Sequence, residues 1–79
     1  MKPLVATHPG ELIKDELKSR KMSQKQLAQL SGIAESVISE IINGKRSVSH
    51  NTAIALEKAL KIPADYWMCL QTQYDLDCP

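Results

Sequence analysis

The fold of this chain is decided by residues 23–43, which read SQKQLAQLSGIAESVISEIIN. Ser23 and Gln26 have the spacing of a capping box, which satisfies the free backbone N–H groups at a helix start. Gly32 predicts the end of that helix, because glycine adopts the left-handed conformation without steric cost. A second short helix is predicted by apolar residues spaced three and four apart, at Val37, Ile38, Ile41 and Ile42. Two helices joined by a short glycine turn are typical of the helix-turn-helix; a plain helical bundle with a glycine turn is the alternative.

Three further helices are predicted around this pair. An amphipathic pattern with proline and an acidic residue at its start predicts a helix over about Pro9–Arg20. Ser49 is the predicted N-cap of a fourth helix, which Ile62-Pro63 ends. A fifth helix is predicted over about Ala64–Tyr74. Since the β-branched residues have helical rather than alternating spacing, we predict a compact all-α domain of five helices.

Length and composition set the class of protein. The 79 residues suit one domain, residues 1–79, and a core of this size rarely supplies more than about 3–5 kcal/mol, so dimerisation is an early hypothesis. No apolar run reaches 18 residues, and the N-terminal residues 1–9 lack a signal peptide pattern, so we expect a cytoplasmic protein without membrane contact. Cys69 and Cys78 form no CxxC motif and lack matching histidines, which predicts free thiols and no metal site.

The net charge of +1 argues against binding to nucleic acid by bulk charge, but the charge is unevenly distributed. Residues 14–46 carry seven Lys and Arg against four Asp and Glu, which leaves +3. Residues 47–79 carry two against four, which leaves −2. The helix-turn-helix half is therefore cationic, and we expect modest DNA affinity that depends on two half-sites.

The residues that could contact DNA follow from the helix-turn-helix geometry. The second helix of the pair is the candidate recognition helix, whose N-terminal residues meet base edges in the major groove. Base reading is predicted for Ala34, Glu35, Ser36, Ser39 and Glu40. Serine can hydrogen-bond to either type of base pair, and glutamate can accept from cytosine N4. Phosphate binding is predicted for Gln24, Lys25, Asn43, Lys45 and Arg46. The alternative for the glutamates, and for Lys45 and Arg46, is ordinary solvated surface.

A second basic cluster lies where the first two helices meet, at Lys18, Arg20, Lys21 and Lys25. These side chains either complement the dipole at the end of the first helix or form a ridge that faces phosphates. The sequence leaves both interpretations open.

Three motifs carry a family resemblance. Ser23–Ala28 together with Asn43–Arg46 resemble the Xre-type helix-turn-helix of phage repressors. His8–Ile13 resembles the HPGEIL opening of the HigA antitoxins, also called VapI-like, and Asn43–Arg46 matches their NGKR. Tyr66–Gln71 followed by Tyr74–Leu76 resembles their FWLNLQ…YDL ending.

The resemblance covers about residues 8–76 and implies a lambda-repressor-like fold. It also implies an antitoxin of a type II toxin–antitoxin pair, which neutralises a small RelE-like mRNA-cleaving toxin and represses its own operon as a dimer. In the repressor family the matched positions contact DNA as described above. By analogy, residues 1–7 and the first helix are candidates for toxin contact. The chain departs from the family at Ala34, which lacks a capping side chain, and at Pro63, where relatives tend to have a capping serine.

The fifth helix carries more apolar surface than so small a core can hold. We therefore predict a dimer interface along it, formed by Tyr66, Trp67, Met68, Leu70 and Tyr74. Packing within one chain is the alternative.

Two other functions stay open. The chain could be a stand-alone Xre-type regulator without a toxin, or a protein-interaction domain that has lost DNA binding, since its recognition helix is poor in cations. No nucleophile, paired-carboxylate or phosphate-loop motif occurs, and His8 and His50 have no local partners. We expect no enzyme, no cofactor and no small-molecule substrate.

Overall fold

The computed structural model describes residues 8–77, which fold into five consecutive helices. They are α1 (Pro9–Arg20), α2 (Gln24–Ser31), α3 (Glu35–Ile42), α4 (His50–Leu60) and α5 (Ala64–Asp77). No strand occurs in this range, so the predicted all-α class is confirmed. The expectations for residues 1–7 and for Cys78 concern positions outside the described residues.

The capping signals of the helix-turn-helix are formed as predicted. The Ser23 hydroxyl accepts a hydrogen bond from the Gln26 backbone N–H at 3.0 Å, and the Ser23 N–H donates to Gln26 Oε1 at 2.8 Å. Gly32 ends α2 with φ of 80°, a left-handed conformation that favours glycine. Ala34 precedes α3 and makes no side-chain cap, because its methyl group cannot accept a hydrogen bond.

The first turn of α1 is held by a histidine cap and by a close helix crossing. His8 Nδ1 accepts from the Gly10 N–H at 2.9 Å, and its ring lies nearly perpendicular to that of Tyr74 with 4.8 Å between the ring centres. Burial lowers the pKa of His8, although Glu11 and Asp75 oppose this shift. The neutral imidazole therefore serves as the cap acceptor. Gly10 lies against the α3 backbone, where a Cβ would come within 2.0 Å of the Ile41 carbonyl oxygen.

The core takes apolar side chains from all five helices and from the loop before α4. Its buried members are Ile13, Leu17, Leu27, Ile38, Ile41, Val48, Ala53, Leu56, Leu60 and Trp67. In this arrangement α1 packs against α3 and α5, α2 packs against α3 and α4, and α4 packs against α5. The helix-turn-helix thus packs against α1 and α4, which in turn pack against α5.

The prediction of Trp67 as a dimer-interface residue is wrong. Its side chain has no exposed surface, and its Nε1 donates to the Ile62 carbonyl oxygen at 3.2 Å. A residue that is already fully buried within one chain has no area left to bury against a second copy. Its neighbour Tyr66 is half-exposed, and Met68, Leu70 and Tyr74 are half-buried.

The start of α5 at Ala64 agrees with the sequence prediction, whereas its C-terminal end does not. No serine caps its start, but Glu57 Oε1 on α4 accepts from the Ala64 N–H at 2.9 Å and fills that role. The helix continues past the predicted end at Tyr74 to Asp77, because residues 75–77 include no glycine or proline. A hydrogen bond of 2.9 Å from Gln71 Nε2 to Asp75 Oδ1 supports the additional turn.

Candidate nucleic-acid interface

The candidate recognition helix α3 presents its N-terminal end to solvent. Ile38 and Ile41 are fully buried and hold the inner face of α3 against the core. Ala34, Glu35 and Ser36 are exposed at the helix start, as base reading requires. Ser39 and Glu40 lie further along and are half-buried as whole residues, although the Glu40 side chain itself is 47% exposed.

The start of α2 places two of the predicted phosphate-binding residues. Gln24 is the first residue of the helix and is half-buried, whereas Lys25 is exposed. The first turn of α2 contains no acidic residue. Its N-terminal partial positive charge is therefore not offset locally, which suits a phosphate.

The three other predicted phosphate-binding residues occupy the loop after α3, residues 43–49. The loop turns at Gly44 with φ of 76°, and the Gly44 N–H donates to the Ile41 carbonyl oxygen at 3.0 Å. The Lys45 N–H donates to the Glu40 carbonyl oxygen at 2.8 Å. Asn43, Lys45 and Arg46 are all exposed. The loop thus carries two cations next to the C-terminal end of α3.

One of these cations is paired with a residue from the predicted base-reading set. Arg46 Nε donates to Glu40 Oε1 at 2.6 Å, and both side chains are about half-exposed. An exposed ion pair of this kind contributes about 0–1 kcal/mol, so it can exchange for a phosphate at little cost. In the free chain the carboxylate of Glu40 is directed to Arg46.

The residues of the basic cluster between α1 and α2 have different roles in the structure. Arg20 Nη2 donates to the Leu60 carbonyl oxygen at 2.6 Å, and Arg20 Nε donates to Glu16 Oε1 at 2.8 Å. This arginine therefore ties α1 to the C-terminal end of α4, which supports a structural interpretation over a phosphate ridge. Lys18 lies in the last turn of α1, where a cation complements the helix dipole, and Lys21 is the left-handed C-cap.

Sequence reasoning missed Gln71, a polar residue inside the core. Its side chain is 4% exposed, and its Oε1 accepts from the Val48 N–H at 2.8 Å. Its position four residues after the buried Trp67 places it on the same face of α5, and this spacing was the available signal.

Residues 8–77 hold no candidate metal-ion cluster and no helix that could span a membrane. This part of the chain has no group of three or more His, Cys, Asp or Glu residues that could hold a metal ion. Its helices are all too short or too polar to cross a membrane.

Comparison with known proteins identifies the family. The model of the helix-turn-helix family matches residues 13–67. An addiction module antidote protein of the HigA family from Coxiella burnetii is 36% identical, with a TM-score of 0.87. That match covers 94% of this chain and 82% of the Coxiella chain. The chain belongs to the HigA family of helix-turn-helix proteins.

Two further relatives agree with this HigA-family assignment. The Pseudomonas aeruginosa antitoxin HigA, solved with the higBA promoter, is 32% identical with a TM-score of 0.84, and the match covers 90% of this chain and 79% of that chain. Virulence-associated protein A' of Dichelobacter nodosus is 39% identical over 70 residues, or 87% of this chain. The HigA-family chain spans 61% of the length of that curated relative. The resemblance carried by the sequence motifs is confirmed.

Proposed function

We propose that this HigA-family chain binds operator DNA through α3 and the following loop and represses its own operon. The observation that carries the proposal is the exposed start of α3 together with the exposed Lys45 and Arg46 in the loop that follows the C-terminal end of the helix. The Pseudomonas relative, which was solved with its promoter, has the same fold. Operator binding in turn implies a cytoplasmic location.

The division of roles within this surface follows from chemistry. Ser36 offers a hydroxyl to base edges at the helix start, while Lys45 and Arg46 offer charge to the backbone. Gln24 and Lys25 at the start of α2 and Asn43 after α3 complete the proposed phosphate contacts. Ala34, Glu35, Ser39 and Glu40 complete the proposed base-reading set, in which Glu40 must first release Arg46.

Removing a phosphate contact is expected to weaken binding to every DNA sequence. For Lys45→Ala and Arg46→Ala, the logarithm of affinity should depend less steeply on the logarithm of salt concentration, by about one unit each, because each variant releases one counterion fewer. Gel shifts with the protein's own promoter at several salt concentrations measure this slope. Lys58→Ala removes an exposed lysine from α4 and serves as the control with an unchanged slope.

Base reading has a different signature from phosphate binding. Ser36→Ala should relax discrimination between operator variants and leave the salt slope unchanged. Equal effects of Ser36→Ala and Lys45→Ala across all operator variants contradict the assignments. Failure of the wild-type protein to shift its promoter at low salt contradicts DNA binding and favours a protein-interaction domain.

We further propose that α5 forms a two-fold dimer interface. Tyr66 is 50% exposed, and the half-buried Met68 and Leu70 extend the apolar surface. Tyr74 contributes less, since its ring already packs against His8 in a T-shaped arrangement. A symmetric dimer would present two recognition helices to half-sites about 34 Å apart.

A charge on the proposed interface is expected to separate the protomers. For Tyr66→Glu we expect the mass in solution to fall from two chains to one, because a carboxylate would be desolvated at the interface. Light scattering over a concentration series measures this change. Leu30→Glu on α2, a position with 59% exposure, is the control with an unchanged mass. A wild-type protein that is monomeric at micromolar concentration contradicts the dimer.

The antitoxin role is supported by family membership, and we propose a small RelE-like mRNA-cleaving toxin as its partner. The product of an adjacent reading frame of about a hundred residues is the candidate. It should arrest growth when it is expressed alone, and growth should recover when this chain is co-expressed and co-purifies with it. An adjacent product that is harmless and does not bind favours a stand-alone regulator.

A further inference from the structure

The loop of residues 43–49 is attached to α5 by a buried hydrogen bond. The Val48 side chain is 2% exposed and lies in the core. Its backbone N–H donates to Gln71 Oε1 at 2.8 Å across 23 residues of sequence. Gln71 is the buried polar residue of the core, and its second polar atom, Nε2, donates to Asp75 Oδ1 at 2.9 Å. The amide of Gln71 is therefore held at both of its ends.

The opposite end of the same loop is attached to α3. Gly44 and Lys45 donate backbone hydrogen bonds to carbonyl oxygens in the last turn of α3. Between these bonds and Val48, the chain exposes Lys45, Arg46 and Ser47. The segment with both cations is therefore a short span between two fixed points, one on α3 and one on α5.

We propose that Gln71 is a positioning residue for DNA binding. It holds the loop at Val48 so that Lys45 and Arg46 face the phosphate backbone before DNA arrives. A loop that is ordered in the free protein loses less conformational entropy on binding, which raises affinity without adding a contact. This inference rests on the proposed DNA-binding function and adds a residue that does not touch DNA.

The attachment of the loop to α5 requires both the amide side chain of Gln71 and the carboxylate of Asp75 that orients it. A buried backbone N–H requires an acceptor, and an aliphatic side chain of the same size at position 71 would leave the Val48 N–H without one. Asp75 orients the amide so that its oxygen, rather than its nitrogen, faces Val48. Loss of either group should free the end of the loop next to the cations.

The test compares Gln71→Met with a core variant of similar stability. Gln71→Met is expected to weaken operator binding about tenfold and to speed hydrogen exchange at the Val48 amide. Ile13→Val removes one methylene from the core on α1, away from the loop, and should lower the melting temperature while leaving operator affinity unchanged. Asp75→Ala, an exposed change that preserves the core, should weaken binding about threefold and keeps the test valid where Gln71→Met does not fold.

A double-mutant cycle distinguishes positioning from general loss of structure. If Gln71 acts through the loop, the effect of Gln71→Met or Asp75→Ala should largely disappear in a background that carries Lys45→Ala and Arg46→Ala. Full additivity, or wild-type affinity in both variants, overturns the inference. Failure of the wild-type protein to bind its operator instead overturns the proposed function, so the two failures are distinguishable.

Discussion

Gly10→Ala is expected to lower the melting temperature by roughly 4–24 °C. At an ordinary helix position this change stabilises a protein by about 0.5–1 kcal/mol. Here the new Cβ would lie 2.0 Å from the Ile41 carbonyl oxygen and 2.9 Å from Ile42 Cα. These are backbone atoms of α3, so the clash can be relieved only by separating α1 from α3. Overpacking of this kind typically costs about 1–3 kcal/mol, which is a large share of the stability of a core this small.

Thermal denaturation followed by circular dichroism measures this effect. Ser19→Ala is the matched control, because it introduces the same residue at an exposed position of the same helix. Its stability should stay within about 0.5 kcal/mol of wild type. A Gly10→Ala variant that melts at or above the wild-type temperature contradicts the close crossing of α1 and α3.

Trp67→Ala is expected to abolish cooperative folding of the isolated chain near 25 °C. Truncation of a buried aromatic residue costs about 3–5 kcal/mol, which equals the whole stability expected from a core of this size. The variant also leaves the Ile62 carbonyl oxygen without the indole donor, 3.2 Å away in the wild type. Trp67→Phe retains most of the ring volume, so its free energy of unfolding should lie between those of the wild type and Trp67→Ala.

The neighbouring Tyr66 provides the control for this experiment. Because Tyr66 is half-exposed in the single chain, Tyr66→Ala should lower the free energy of unfolding of the monomer by about 1 kcal/mol or less. Near-ultraviolet circular dichroism and thermal melts separate the two variants. If Trp67 instead contacted a second copy, Trp67→Ala would give a folded monomer, and that outcome would contradict its place in the core.

The helix-turn-helix could be predicted from residues close together in sequence. The cap between Ser23 and Gln26 spans three residues, and Gly32 ends α2 through its own backbone conformation. The apolar spacing that orients α3 repeats every three to four residues. These signals act within about one helical turn, so they do not depend on the rest of the fold. The exposure of Ala34, Glu35 and Ser36, the proposed base-reading residues at the start of α3, follows from them.

Other assignments required contacts between distant segments. Tyr66 and Trp67 are adjacent aromatic residues, and their residue types alone do not indicate which of the two is buried in the core. In the sequence, Arg20 is one of four cations in a basic cluster. In the structure it donates a hydrogen bond to the carbonyl oxygen of Leu60, 40 residues away in sequence. A glutamate of α4, Glu57, likewise caps the start of α5, where Pro63 offers no capping side chain.

Local backbone conformation, helix caps and the inner and outer faces of the helix-turn-helix thus follow from the amino-acid sequence, because their energies arise within a few residues. The roles of Gly10, Trp67 and Gln71 depend on how the helices pack. A residue without a side chain is needed at position 10 because α3 crosses α1 at that point. A polar side chain is accommodated in the core at position 71 because it accepts the hydrogen bond of the Val48 N–H. Steric exclusion and the pairing of buried polar groups depend on neighbours in space, and the chain brings those neighbours together only when it folds.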